Sequence, residues 1–401
     1  MKTLLTNAGG GSGRGAPIPS RRPRLRGPGT RWLLVALLTP LLALTTTVAN
    51  AQSGWLTVPD MPTARHGLAG TSAPCPKDVE GLKGTCVYAI GGHNGSPTLD
   101  TVEAYSPATN TWRTLPDLPT ARYALTAATA PCPKGVDGLK GTCVYAIGGF
   151  TGTEWPDPAH DVGTVEAYSP ATNTWRTLPS LPTARSFPAA ATAPCPKDVE
   201  GLRGACVYAI GGAFGDTVEA YSPATNTWHT LPSLNTLRDA PGAATAPCPR
   251  DVEGLRGVCV YAIGGFDPTD DILDSAEAYS PATNTWRAVA SMSTTRVALA
   301  AASAPCPRGD RNVKQTCVYA IAGFTDFTEL ATNTAEVFSP ATNAWSSLPD
   351  LTTARFELAA ATAPCPKDVR GVKHTCVYAI GGAGDSPFAA LSSVAALPVG
   401  H

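Results

Sequence analysis

The stretch CPKDVEGLKGTCVYAIGG, residues 75–92, returns five more times along the chain with few changes, beginning at Cys132, Cys195, Cys248, Cys306 and Cys365. Each copy places two cysteines around a polar, turn-rich decapeptide and ahead of an apolar run that ends in Gly-Gly or Ala-Gly. The pairs are Cys75/Cys86, Cys132/Cys143, Cys195/Cys206, Cys248/Cys259, Cys306/Cys317 and Cys365/Cys376, which accounts for all 12 cysteines. Tryptophans keep the same beat at Trp55, Trp112, Trp175, Trp228, Trp286 and Trp345, at intervals of 53 to 63 residues. A repeat of that length cannot bury its own apolar face and must stack on its neighbours. Residues 52–401 are therefore expected to form one folded domain.

Within a copy every segment reads as strand. Small-residue runs such as Ala127-Ala128-Thr129-Ala130 suit a crowded inner strand, and Val87-Tyr88-Ala89-Ile90 is apolar on both faces, as a strand covered on both sides must be. Gly91-Gly92 ends that second strand. Thr101-Val102-Glu103-Ala104-Tyr105 then alternates, Ser106-Pro107-Ala108-Thr109-Asn110 supplies a tight turn, and Trp112-Arg113-Thr114-Leu115 follows as the fourth strand.

The double glycine, the Glu-Ala-Tyr, the tryptophan beyond the turn and the arginine that closes the copy together resemble the kelch repeat. That resemblance spans essentially all of residues 52–401 and implies an all-β fold, a six-bladed kelch β-propeller of four-stranded antiparallel blades. Phe338 stands for the tyrosine and Ala322 for the first glycine of the fifth copy, and the paired cysteines are an addition to the usual pattern. Trp55-Leu56-Thr57-Val58 reads as a fourth strand with no first three before it, while the last copy has no tryptophan. The N-terminal strand is expected to complete the last blade and close the ring.

Residues 1–51 lie outside the repeat. They carry seven Lys or Arg and no acid, an apolar run over 33–48, and the small-x-small ending Ala49-Asn50-Ala51. These are the parts of a secretory signal peptide, with cleavage expected after Ala51. Pro40 and the threonines at 45–47 make the run a poor permanent span, so no stable membrane insertion is expected after cleavage. Removing seven of the chain's 30 basic residues leaves 23 against 31 acidic ones, a net charge of −8. Such a chain lacks the excess positive charge that displaces counterions from phosphates, and nucleic acid is excluded as a partner. Export to the cell exterior, the periplasm or the cell envelope makes an even cysteine count read as disulfides. Each closes a loop of about twelve residues, worth roughly 3 kcal/mol.

Alternating strand direction gathers the first-to-second and third-to-fourth connections on one face and the remaining connections on the other. The first face is monotonous from copy to copy. The second carries loops at residues 93–100, 150–163, 213–216, 266–274, 324–334 and 383–387 that differ in length and chemistry, as binding loops on a rigid frame do. Candidate ligand-binding residues there are Tyr123, Trp155, His160, Phe187, Phe214, Asp239, Phe327, Arg355, Phe356 and Glu357. Aromatic rings beside carboxylates suit stacking on sugars and bonding to their hydroxyls. One arginine per copy, at Arg65, Arg122, Arg185, Arg238, Arg296 and Arg355, is matched by a glutamate in five copies, at Glu103, Glu166, Glu219, Glu277 and Glu336. A repeated pair of this kind reads as a structural ion pair, with Arg355 the exception.

No catalytic residue, metal or cofactor is assigned. A copper radical site resembling that of galactose oxidase needs a cysteine-tyrosine crosslink and histidine ligands, whereas every cysteine here has a bridging partner and the variable face offers only His66, His93 and His160. Asp267, Asp270, Asp271 and Asp274 lack the glycine-centred spacing of an EF-hand and read as a solvated loop. The expected function is that of a secreted, monomeric, non-catalytic recognition protein that binds a glycan or a protein partner through the variable face. The alternative is a sugar-modifying or sugar-isomerising enzyme on the same face, similar in architecture to sialic acid mutarotases, for which a carboxylate or histidine acting as acid and base would suffice.

Overall fold

A computed structural model describes residues 54–95, 98–152, 158–213, 215–269, 271–307, 315–326, 330–367, 374–384 and 389–400. The expected signal peptide and the candidates Trp155, Phe214 and Phe327 lie outside the described residues, as does Asp270. The body described belongs to the unit Ala51–His401.

Six four-stranded antiparallel sheets are formed, five of them with their strands in sequence order. In the first blade these are Ala69–Pro74, Thr85–Ile90, Val102–Ser106 and Thr111–Leu115. The inner strands of successive blades touch in a closed cycle, the last against the first. Their small side chains permit this approach: a Cβ on Gly70 would come within 2.6 Å of the Ala359 Cβ in the neighbouring blade. The last blade comprises Ala359–Pro364, Thr375–Ile380, Val394–Val399 and, as its outermost strand, Leu56–Val58. Leu56 pairs with Ala396, Thr57 with Ala395 and Val58 with Val394, so the ring closes through the N-terminal strand.

The second strands are the most buried, and in the first blade everything from Cys86 to Ile90 is sealed from solvent. Each second-strand tyrosine donates its hydroxyl to the carbonyl of the proline that ends the inner strand, Tyr88 to Pro74 at 2.7 Å and Tyr378 to Pro364 at 2.7 Å. Outermost tryptophans link one blade to the one before it. Trp112 Nε1 donates to the Pro59 carbonyl at 2.8 Å, and Trp55 Nε1 donates to that of Pro349 at 2.8 Å.

All six cysteine pairs are bridged as the spacing predicts: Cys75–Cys86, Cys132–Cys143, Cys195–Cys206, Cys248–Cys259, Cys306–Cys317 and Cys365–Cys376, with Cα–Cα separations of 4.8 to 4.9 Å. The second cysteine of each pair belongs to the covered second strand, so Cys86, Cys143, Cys206, Cys259, Cys317 and Cys376 are at most 1% exposed and pack in the core. These buried sulfurs are structural and offer nothing to a ligand. The stapled loop rests on the third-to-fourth turn of its own blade: Ser106 Oγ accepts from Lys83 N and donates to Lys83 O, and Thr109 Oγ1 donates to Gly81 O. In that turn Asn110 takes φ 56°, a region asparagine enters more readily than most residues, and its Oδ1 accepts the Tyr105 hydroxyl at 2.6 Å. Phe338 lacks that hydroxyl, and Asn343 Oδ1 accepts Ala290 N instead.

Among the described residues no helix is long and apolar enough to cross a membrane.

Candidate functional site

After each outermost strand the chain crosses to the next blade along one track. A buried arginine comes first, then a residue that bridges to the position just past the Gly-Gly pair, then a residue with positive φ, and then the inner strand. The bridging residues are paired as His66 with His93, Tyr123 with Phe150, Asp239 with Phe266, Val297 with Phe324 and Phe356 with Ala383. The positive-φ residues are Gly67, Ala124, Phe187, Ala240, Ala298 and Glu357. Their left-handed backbone turns each N–H toward the preceding blade: Ala124 N donates to Gly67 O, Phe187 N to Ala124 O, Ala298 N to Ala240 O, Glu357 N to Ala298 O and Gly67 N to Glu357 O. Ala240 N instead donates to Asp239 Oδ1 at 3.1 Å. This circle frames one end of a central channel of about 440 Å³ lined by the six inner strands.

The arginines lie beneath the circle. Arg65, Arg122, Arg185, Arg238 and Arg296 pair with Glu103, Glu166, Glu219, Glu277 and Glu336 at 2.5 to 3.1 Å, with every partner at most 3% exposed. The ion pairs are structural, as the matched repeats predict. Arg355 is equally buried, and its Nη1 donates to Gly381 O and Ser393 O. It reaches the channel mouth only through the backbone that follows it.

Side chains that differ between copies converge on one arc of the mouth. Glu357 Oε2 lies 2.7 Å from His66 Nδ1, the two being 17% and 16% exposed. The His66 and His93 rings meet edge to face at 5.4 Å, His93 lies 5.4 Å from Tyr123, and Tyr123 meets Phe150 at 5.3 Å. His160 closes the file 5.8 Å from Phe150. Gly67 sits within it: a Cβ there would lie 3.2 Å from Tyr123 Cδ2 and 3.3 Å from Glu357 Oε2. Burial and the neighbouring His66 charge lower the His93 pKa, with Glu357 acting in the opposite direction. Burial, helped by Glu357 and Asp161, pushes the Tyr123 phenol up to about 12. At neutral pH the arc thus offers the neutral imidazole of His93 and the un-ionised phenol of Tyr123, beside the Glu357–His66 hydrogen bond. It can donate to and accept from a hydroxylated ligand.

The sequence-predicted residues divide between this arc and other places. Tyr123 and Glu357 are members of it, and Phe187, half-buried, packs against the cluster formed by Tyr123, Ala124 and Phe150. Phe356 is buried and stacks on Phe324 at 4.0 Å rather than joining Tyr123. Asp239 is buried at the base of its own turn. Among the aromatics that follow Gly-Gly, Phe150 is sealed from solvent, while Phe266 and Phe324 are half-buried. Asp267 Oδ1 accepts from Thr269 N and Thr269 Oγ1, holding a local turn. Among the described residues no three His, Cys, Asp or Glu side chains are grouped to hold a metal ion.

Sequence alone offers His66 and His93 only as copper ligands and does not disclose their junction with Glu357. Glu357 and His66 are 291 residues apart and meet because the last blade abuts the first. The signal that could have found them is positional: both lie where the copies disagree, His66 one residue and Glu357 two residues past a repeated arginine.

The Kelch motif family model matches residues 83–119, 140–182, 204–235, 259–293 and 313–352. The chain is similar to Kelch-like protein 23 of Homo sapiens, 25% identical over 324 residues, covering 77% of this chain and 46% of that protein. It is also similar to Kelch-like protein terF of Aspergillus terreus, 28% identical over 244 residues, 58% of this chain and 47% of that one. The chain thus spans less than half the length of these curated relatives. Among solved structures it resembles that of YjhT, with a TM-score of 0.56 over 84% of this chain and 95% of that one, at 13% identity. That likeness is one of fold alone.

Proposed function

Because this chain belongs to the kelch-repeat family, we propose that it is an exported recognition protein that binds a protein or glycan partner through the face carrying the channel mouth. One observation carries the reading: blades that repeat almost residue for residue depart from one another at the mouth, where Glu357, His66, His93 and Tyr123 form a continuous polar and aromatic arc. A repeated ring whose loops vary at such a place suits recognition. The aromatic edges and paired hydrogen-bonding groups suit a sugar as well as a protein side chain. Six disulfides fit the oxidising compartment to which residues 1–51 would direct the chain as a cleaved signal peptide. Residues 52–401 then act as a single monomeric domain.

The Glu357–His66 contact supports a second reading, acid–base chemistry on a sugar hydroxyl at the same arc. One experiment separates the two. The oxidised protein is screened by thermal shift against neutral and acidic sugars and used in pull-downs, alongside Glu357→Gln, His66→Asn and Tyr123→Phe. Recognition predicts that each substitution weakens binding by a part. Catalysis predicts that Glu357→Gln abolishes turnover of a sugar that still binds. Full retention of both binding and turnover by all three variants would remove the arc from either role.

A further inference from the structure

Five blades pair their buried arginine with a third-strand glutamate, and the sixth does not. Strand register makes the comparison direct. Glu103, Glu166, Glu219, Glu277 and Glu336 lie opposite the second-strand residues Ala89, Ala146, Ala209, Ala262 and Ala320. The corresponding Ala379 of the last blade lies opposite Ala395, so a methyl group occupies the place of a carboxylate.

The guanidinium of Arg355 keeps the bonds of its counterparts up to that point. In Arg238 and Arg296, Nη1 donates to two backbone carbonyls, and Nη2 donates once to a Ser or Thr hydroxyl and once to the glutamate. Arg355 Nη1 likewise donates to Gly381 O and Ser393 O, and Nη2 to Ser393 Oγ at 2.9 Å. The second Nη2 proton, spent on Glu277 or Glu336 elsewhere, has no acceptor among these bonds, and Nε has only a long contact of 3.4 Å to Thr353 O. Asp60 is the carboxylate whose charge reaches Arg355, but its Oδ2 accepts from Ser392 Oγ. Burial accordingly lowers the Arg355 pKa to about 10. A buried charge without a hydrogen-bonded counterion is costly, and a small anion that supplied one would bind there.

We propose that the position beside Arg355 and Ala395, where five other blades place a glutamate side chain, is a binding site for a small carboxylate anion. The site contains none of the mouth arc and stands or falls independently of the recognition reading.

The test is thermal unfolding of the oxidised protein in sodium acetate or formate at fixed ionic strength, with acetamide as the neutral control. Acetate should raise Tm by roughly 2 °C at about ten times its dissociation constant, and acetamide should not. Ala395→Glu should raise Tm without added anion and lose the acetate response, and Ala395→Gln should lose that response without supplying the charge. Glu103→Ala opens the same gap beside Arg65 and should gain an acetate-dependent recovery of Tm, which decides the matter if neither Ala395 variant folds. A wild-type Tm indifferent to acetate, or an acetate response retained in Ala395→Gln, overturns the proposal.

Discussion

A buried carboxylate is held by the number of donors that face it, and two blades of near-identical sequence show opposite balances. Burial is the largest influence on both Glu219 and Glu336, and it disfavours the anion. Around Glu336 it is outweighed by Ser293 N and Oγ together with Arg296 Nη2, and the pKa falls below its ordinary value. Around Glu219 it is not: Thr183 Oγ1 donates to Oε1, but Oε2 lies 3.0 Å from Arg185 Nη2 without an aligned hydrogen bond, Arg185 Nε and Nη1 have no acceptor, and the pKa rises. A depressed carboxyl contributes stability that is present above pH 4.5 and lost as pH falls through the folded value. A raised one contributes stability that is present below pH 4.5 and lost as pH rises through the folded value. The destabilisation caused by Glu336→Gln should therefore grow with pH and that caused by Glu219→Gln should shrink, as read by urea unfolding at about pH 3.5, 5.5 and 7, values that bracket carboxyl titration. Parallel pH profiles would contradict this account. Gly67 offers a second test at this scale. Ala124, Ala240 and Ala298 occupy its counterpart positions at φ 46 to 53°, so the ring accepts alanine there. Gly67→Ala should cost about 1 kcal/mol of stability and still close the space between Tyr123 and Glu357. A variant that folds but no longer binds the mouth ligand is the expected outcome, seen as a near-normal Tm that the ligand fails to raise.

The blade is the unit at which the sequence is most transparent, because its information is local. Val87 to Ile90 is apolar on both faces and forms a covered strand, and Cys75 and Cys86 are close enough along the chain to be paired without knowing the fold. The depth of the second cysteine is less plain, since Cys143 or Cys206 looks like a loop residue until the strand that follows is seen to begin before it. The bridge in each blade constrains a short loop, so replacing Cys248 and Cys259 by serine should lower stability by about 3 kcal/mol in urea unfolding. The loss should be accompanied by proteolytic nicking confined to residues 249–257, since the neighbouring staples are untouched. The third-to-fourth turn carries a smaller share. Tyr279→Phe removes the hydroxyl that Asn284 Oδ1 accepts, leaving what the fifth blade already tolerates at Phe338, and should cost about 1 kcal/mol. What the blade could not disclose is the mouth arc. Phe356 and Tyr123 look alike as aromatics directly after a repeated arginine, yet one stacks on Phe324 and the other joins His93, because each partner comes from a loop whose course the repeat does not encode.

At the scale of the whole ring, function depends on closure, since Glu357 and His66 belong to the last and first crossings and touch only when the ends of the propeller are joined. That junction rests on a three-residue strand: Leu56 to Val58 pairs with Val394 to Ala396, and Trp55, buried beside it, donates to Pro349 O of the fifth blade. Deleting residues 54–58 would expose the Val394–Val399 edge and its apolar side chains, an invitation to pair with another chain. The shortened protein should unfold at lower denaturant with a less steep transition and should associate on size-exclusion chromatography. It should also lose mouth binding, even though every residue of the arc is retained. A circular permutant that joins Gly400 to Gly54 through a short linker and opens the chain in the turn between Ser106 and Thr111 keeps the closing strand covalently beside its partner. It should preserve the Glu357–His66 contact and mouth binding, at the cost of the first blade's turn. If the permutant bound no better than the deletion, closure would be irrelevant to the site. If the deletion still bound, the arc would be assembled by the inner-strand contacts of the ring without the help of its outermost strand.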